Sequence, residues 1–260
     1  MLNHKTFALL LLGSTALLPG ASFAADMPDF VEPAVVEVKQ FGGWYLRGDV
    51  GITNQRVDEF TSPLFETGDF AVTESDFDAS AFLGFGVGYR INKQFRVDVT
   101  GEYRFESEFN GLDNYADEDL PGGLGINDYD GNKTEWVALV NGYFDLPTYG
   151  IMTPFIGAGV GAARVEINDF TDFNPAVPGT ALGLSGDTDT WNFAWALYAG
   201  LAFEVTPQWT FEVAYRYLNL GDAETEDLVT PEGANPSFNP YSFNDLTSHD
   251  VKMAVRYNFN

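Results

Sequence analysis

From Trp44 the chain alternates: Trp44, Leu46, Val50 and Ile52 share one parity, and Tyr45, Arg47, Asp49 and Thr53 share the other. A period of two marks a strand with one apolar and one polar face. The pattern recurs where Phe95, Val97, Val99, Tyr103 and Phe105 alternate with Arg96, Asp98, Thr100, Glu102, Arg104 and Glu106. Farther on, Trp191, Phe193, Trp195, Leu197, Leu201 and Phe203 oppose Asn192, Ala194, Tyr198 and Glu204, while Trp209, Phe211, Val213, Tyr215 and Tyr217 oppose Thr210, Glu212 and Arg216. In the last segment Val251, Met253, Val255, Tyr257 and Phe259 face away from Asp250, Lys252, Arg256 and Asn258. Segments near 81–91, 134–146 and 155–167 are less regular. Gly84, Gly86, Gly88, Gly157, Gly159 and Gly161 hold one parity there, and are read as interior positions that leave room for Arg and Tyr side chains from neighbouring strands. Arg164 and Glu166 fall on the apolar parity and are expected beyond an apolar band.

Connections between these segments alternate in length. Those near 92–94, 147–153 and 206–208 are tight, and those at 54–79, 107–132, 168–189 and 219–247 are long. Aromatics collect at segment ends, as at Trp44, Tyr89, Phe95, Trp191, Trp209 and Tyr257, where membrane girdles place them. The pattern predicts an all-β, eight-stranded antiparallel transmembrane up-and-down β-barrel, apolar face outward, with four long extracellular loops. A soluble sandwich would turn the same face inward.

Ahead of the strands, residues 1–24 read as a secretory signal peptide: Lys5, an apolar run from Phe7 to Leu18, a break at Pro19 and Gly20, and small residues Ser22 and Ala24 before the cut. The run is too short for a membrane helix, which needs about 20 apolar residues. Residues 25–40, with Pro28 and Pro33, read as a periplasmic N-terminal linker, and 41–260 as the outer-membrane barrel.

Charge sharpens this division. The net charge is −25, which repels phosphate backbones and excludes nucleic acid as a partner. The four long connections hold 7, 7, 4 and 6 acidic residues, 24 of the chain's 38, against one basic residue, Arg56. In the strands the two signs nearly balance, and charges inside a narrow barrel are costly unless paired. Arg47, Asp49, Arg90, Arg96, Asp98, Glu102, Arg104, Glu135, Asp145, Glu204, Glu212, Arg216, Lys252 and Arg256 are therefore expected to form an interior ion-pair network that plugs the lumen.

Several stretches carry a family resemblance: Gly43-Trp44-Tyr45-Leu46-Arg47-Gly48-Asp49-Val50-Gly51, Asn141-Gly142-Tyr143-Phe144-Asp145, Pro154-Phe155-Ile156-Gly157-Ala158-Gly159-Val160-Gly161 and Tyr215-Arg216-Tyr217. With them the chain resembles the small OmpA-like barrels of Gram-negative bacteria, in particular the opacity-protein and alphaproteobacterial surface-antigen branch of porin-like proteins. Val255, Tyr257 and Phe259 look like the terminal signal read by the barrel-assembly machinery, although such signals usually end on the aromatic and here Asn260 follows. The resemblance implies outer-membrane lipid and lipopolysaccharide as surroundings. It further implies a non-enzymatic role in envelope structure, with adhesion, ligand capture or limited solute passage in some members.

Little in the chain suggests catalysis. There is no cysteine, which removes disulfides and thiolate chemistry. His249 lies between Ser248 and Asp250, but neighbours on a strand point to opposite faces and cannot converge on one substrate. A lipid-modifying enzyme is accordingly the weakest reading, and a narrow solute or ion pore the main alternative to a structural barrel. The glycine-rich run at 157–161 lacks the Lys-Ser/Thr of a phosphate-binding loop, and no cofactor is expected. Asp113, Asp117, Glu118, Asp119, Asp128 and Asp130 offer oxygen ligands to divalent cations, without the spacing of an EF-hand.

Overall fold

The computed structural model describes residues 42–259, apart from 67, 121, 176–181, 231–232 and 235–238. The expected signal peptide and linker lie outside the described residues. Among the described residues thirteen strands form one sheet: β1 (Gly43–Arg56), β2 (Glu59–Thr61), β3 (Phe70–Phe77), β4 (Ser80–Arg90), β5 (Phe95–Ala116), β6 (Leu124–Asp145), β7 (Met152–Phe173), β8 (Leu182–Leu184), β9 (Thr188–Glu204), β10 (Trp209–Glu224), β11 (Val229–Thr230), β12 (Gly233–Ala234) and β13 (Ser242–Asn258). All pairings are antiparallel. β1 pairs with β4 and with β13, and the ladder runs β4, β5, β6, β7, β9, β10, β13. β2 joins β13, β3 lies between β1 and β5, and β8, β11 and β12 extend from β7.

The expectation of eight strands is thereby corrected, and so is the reading of four long loops. Much of each acidic stretch is strand. β5, β6 and β7 are 22 residues each, roughly 70 Å at about 3.3 Å per residue, against a hydrocarbon core of about 30 Å. On β5, β7, β10 and β13 the alternation is lost to the eye because bulges reverse its parity. On β5 the interior positions are Arg96, Asp98, Thr100, Glu102 and Arg104, then Ser107 and Phe109, with a register shift between Arg104 and Ser107 that turns Glu106 outward instead of in. On β7 Ile167 and then Phe170 point in, and the extra residue is Asp169 at φ 50°. β10 shifts around Gly221 (φ 79°), sending Asp222 out and Ala223 in, and β13 shifts at Asp245 (φ 53°), which puts Phe243 inside. Asp is among the few side chains that tolerate the left-handed region.

Below the bulges the wall is apolar outside and charged inside. Ile52, Phe85 and Phe193 are 62%, 61% and 67% exposed, whereas Arg96, Arg104 and Arg216 are 0–1% exposed. A water-soluble sheet would bury the first set; this arrangement suits hydrocarbon outside. Aromatic pairs edge the band at the tight-turn end, Trp44 with Tyr89 at 5.3 Å and Trp209 with Tyr257 at 4.9 Å. Tyr103 with Trp136 at 4.8 Å and Trp195 with Tyr217 at 5.4 Å edge it at the far end. Interior glycines make the space expected of them: a Cβ on Gly88 would overlap the Tyr45 ring, and one on Gly86 would press on Arg47 Cγ.

Past the bulges the interior is aromatic. Phe60 of β2 packs on Phe109 at 5.1 Å, Tyr129 at 5.3 Å and Tyr241 at 5.6 Å, and Phe243 meets Phe109 at 4.9 Å. Two carboxylates enter this cap. The Tyr129 hydroxyl and the Asn127 amide donate to Asp113, and the Tyr241 hydroxyl donates to Asp172 at 2.8 Å. Burial pushes the Asp172 carboxyl up to about 6, with the charge of Asp113 adding to the rise and the Tyr241 hydrogen bond opposing it. Burial raises Asp113 as well.

Two outcomes follow. Val213→Arg, on the outer face of β10 within the apolar band, should cost about 2–4 kcal/mol in urea unfolding from lipid vesicles, and Glu224→Arg, past the bulge on the same strand, under about 1 kcal/mol. Equal small costs would mean that the band does not face lipid. For Asp172 the folded carboxyl holds its proton above the ordinary value of 3.8. Its contribution to stability is therefore full below about 4 and is lost as pH rises through about 6, a difference of roughly 3 kcal/mol. Asp172→Asn should flatten that pH dependence in thermal unfolding of the refolded protein, and an unchanged profile would remove Asp172 as its source.

Candidate functional site

The interior of the apolar band is built by side chains from β1, β5, β6, β10 and β13, whose alternation sends every second residue inward. Near its middle Arg104 of β5 is the hub. Its Nε donates to Glu135 Oε2 at 2.7 Å, its Nη1 to Glu102 Oε1 at 3.2 Å and Asp250 Oδ2 at 3.1 Å, and its Nη2 to Ser248 Oγ at 2.9 Å. Arg216 of β10 bridges the same Glu102 and Asp250, both at 2.6 Å. Lys133 pairs with Glu135 and lies 4.4 Å from the Phe77 ring centre, which joins the ion pairs to the aromatic cap.

A second cluster lies toward the tight-turn end. Arg47 meets Asp49 at 2.6 Å, Asp98 at 2.7 Å and Glu212 at 3.5 Å, and donates to the Tyr143 hydroxyl at 3.0 Å. Arg96 reaches Asp145 at 3.0 Å and Glu212 at 3.2 Å, Arg256 reaches Glu212 at 3.1 Å, and Lys252 reaches Asp49 at 3.2 Å. These groups are 0–5% exposed. Ions so deeply buried persist only in pairs, and removing one partner of such a pair costs about 3–5 kcal/mol. Beside this second cluster a void lined by Arg47, Tyr143, Phe155, Tyr198, Glu212 and Lys252 is too narrow for a water molecule.

Of the fourteen charges expected in the interior, twelve are brought into these two clusters. Arg90 and Glu204 end β4 and β9 half-buried at the rim. Asp250 and Lys133 also belong to the network, on the interior parities of Lys252 and Glu135. Tyrosines join the network, in the room that the interior glycines leave. Tyr45 donates to Asp98 at 3.0 Å, and Tyr198 donates to Asn141, which in turn donates to Asp98 at 2.8 Å.

Outside the interior, Arg164 pairs on the wall with Glu166 and with Asp189 at 3.0 Å, at the far edge of the band. Val255, Tyr257 and Phe259 lie on the outer face at the end of β13, with Tyr257 and Phe259 5.3 Å apart. His249 turns outward to Tyr215, 2.5 Å from its hydroxyl, while Ser248 and Asp250 turn inward. That separation keeps the three from one substrate. Among the described residues no group of three or more His, Asp or Glu side chains is arranged to hold a metal ion.

Comparison with known proteins agrees with this architecture. The family model described as the outer membrane protein beta-barrel domain matches residues 8–259. An uncharacterized protein of Brucella abortus (strain 2308) is 30% identical, with 91% of this chain and 93% of that protein covered. A Rickettsia prowazekii (strain Madrid E) protein named "Putative adhesin" is 25% identical, with 82% and 86% covered. Among solved structures, neisserial surface protein A aligns at 16% identity and a TM-score of 0.45, covering 84% of this chain and 97% of that one. An all-β chain with an inverted, lipid-facing wall and a family match over nearly its whole length has its place in the outer membrane, and it belongs to the outer membrane protein beta-barrel domain family.

Proposed function

We propose that the protein is a non-enzymatic surface barrel that contributes to envelope structure and presents its acidic far end to the cell exterior. The observation that carries this reading is the doubly filled interior: ion pairs centred on Arg104 and Arg47 inside the band, and the Phe60–Phe109–Phe243 cap past it. Such an interior favours a plug over a pore. The non-enzymatic reading draws on His249, whose flanking Ser248 and Asp250 face the other way. Interior ion pairs, in this reading, serve as the polar core of the wall.

Export by the signal at 1–24, a linker at 25–40 and a barrel from 41 onward fit the same picture, with Val255, Tyr257 and Phe259 as the assembly signal and lipopolysaccharide in the facing leaflet. Within the family, the OmpA-like opacity branch is the finer reading. The Rickettsia relative's name favours external contact as the task of the acidic far end. Exposed acids there suit a basic partner or bridging cations.

Conductance of the protein refolded into planar lipid bilayers is the test. Silence, or rare small openings, is expected; stable ion-selective steps would replace the plug with a pore.

A further inference from the structure

The tight-turn end of the interior holds more guanidinium than its carboxylates satisfy. Arg47, Arg96 and Arg256 all draw on the single carboxylate of Glu212. Arg90 pairs across the ladder with Arg96, and its charge and that of Arg96 both act against Arg256. Arg96 is 0% and Arg256 1% exposed, yet Arg96 Nη1, Arg256 Nη1 and Arg90 Nε make no hydrogen bond, and Arg96 Nη2 and Arg256 Nε share the single oxygen Glu212 Oε1, at 3.2 and 3.1 Å, without hydrogen-bond geometry. Buried donors of native proteins are satisfied by protein, water or a bound ion, and leaving one unmade on a charged group costs more than about 1–3 kcal/mol. Water would satisfy the N–H groups but not the mutual repulsion of the cations. An anion does both.

We propose that Arg90, Arg96 and Arg256 form an internal binding site for a small inorganic anion of chloride size, entered from the tight-turn end past the half-buried Arg90. The Tyr143 and Phe155 rings, centred 4.0 and 4.6 Å from the Arg96 guanidinium carbon, crowd the site and restrict it to a small ion. The Tyr45 ring, 5.3 Å from the Arg256 guanidinium carbon, closes the site on one side, and Glu212 fixes two of its arginines. The inference stands on these side chains and not on the absence of conductance, so a conducting barrel would leave it intact.

The test is heat unfolding of the refolded protein in sodium chloride against sodium gluconate at equal ionic strength, across a range of chloride concentrations. Chloride should stabilise, the unfolded-to-folded ratio at a fixed temperature falling about tenfold once chloride exceeds its dissociation constant about tenfold. Arg256→Gln should abolish the difference between the two salts. Arg90→Gln, at the rim and without a hydrogen bond to lose at Nε, should fold as the wild type does and move the response to higher chloride. If Arg256→Gln does not fold, the shift in Arg90→Gln decides alone. No difference between the salts in the wild type, or the same difference in Arg90→Gln, would overturn the site and leave the donors to buried water.

Discussion

Hydrocarbon against the outer wall is the constraint from which the rest of this structure follows. Strands must satisfy their backbone groups within the sheet, which leaves side chains to deal with the solvent on either side. One parity meets lipid and is apolar. The other parity is then free of any hydrophobic drive, because the lipid tails outside are as apolar as a core would be, and it can carry charge provided that each charge is paired. Arg104 on β5 with Asp250 on β13, and Arg216 on β10 with Glu102 on β5, are contacts across the interior between segments more than a hundred residues apart. They also hold register. A slip of one residue along β5 would send Arg96 and Arg104 into lipid and Val97 and Val99 inward.

Where water replaces lipid outside the wall, the same sheet obeys the opposite rule. An apolar interior is again favourable, and an aromatic cap fills it, bordered by Lys133 on the Phe77 ring. Several strands that cross this boundary exchange the parity that faces inward, while β6 keeps its parity and changes composition instead. Bulges on β5, β7, β10 and β13 make the exchange by adding or dropping one residue, and at each an acid points outward: Glu106, Asp169, Asp222 and Asp245. The two neighbouring bulges on β10 and β13 are tied together, since the Asp245 backbone N–H donates to Asp222 Oδ1 at 2.8 Å.

That exchange explains what could be read from the residues and what could not. The alternation from Phe95 to Arg104 and from Val251 to Asn258 was legible because each run lies wholly within the apolar band, and the inward turn of its charges followed from the outward turn of its aromatics. The pattern alone puts Glu106 inside and reads the stretches beginning near 107, 168 and 219 as loops, because a period of two does not survive a change of parity. β6 has no such bulge, yet its far part was missed as well. There Asn127, Tyr129 and Gly131 face inward and Asp128 and Asp130 outward, an alternation that reads as loop composition when acids are counted without regard to parity. Asp250 and Lys133 stand in plain sight as charges on interior parities; Lys133 meets Glu135 only two residues along β6, whereas Asp250 meets Arg104 from 146 residues away, a pairing set by the sheet that leaves no local trace.

Depth in the membrane is a further consequence of the bulges. A change of face is favourable only where the outer solvent changes, so the four bulges mark the level at which the wall leaves hydrocarbon. Tyr103, Trp136, Trp195 and Tyr217, which prefer the headgroup zone, sit just beneath that level on their strands. Charge and aromatic position therefore specify the same plane independently. Moving the barrel toward its tight-turn end would drag Glu106 and Asp222 into lipid, and moving it toward its far end would lift Val99 and Val213 into headgroups. The strands run on past this plane for as long as the aromatic cap gives them an interior to cover, which is why β5, β6 and β7 are far longer than a membrane requires.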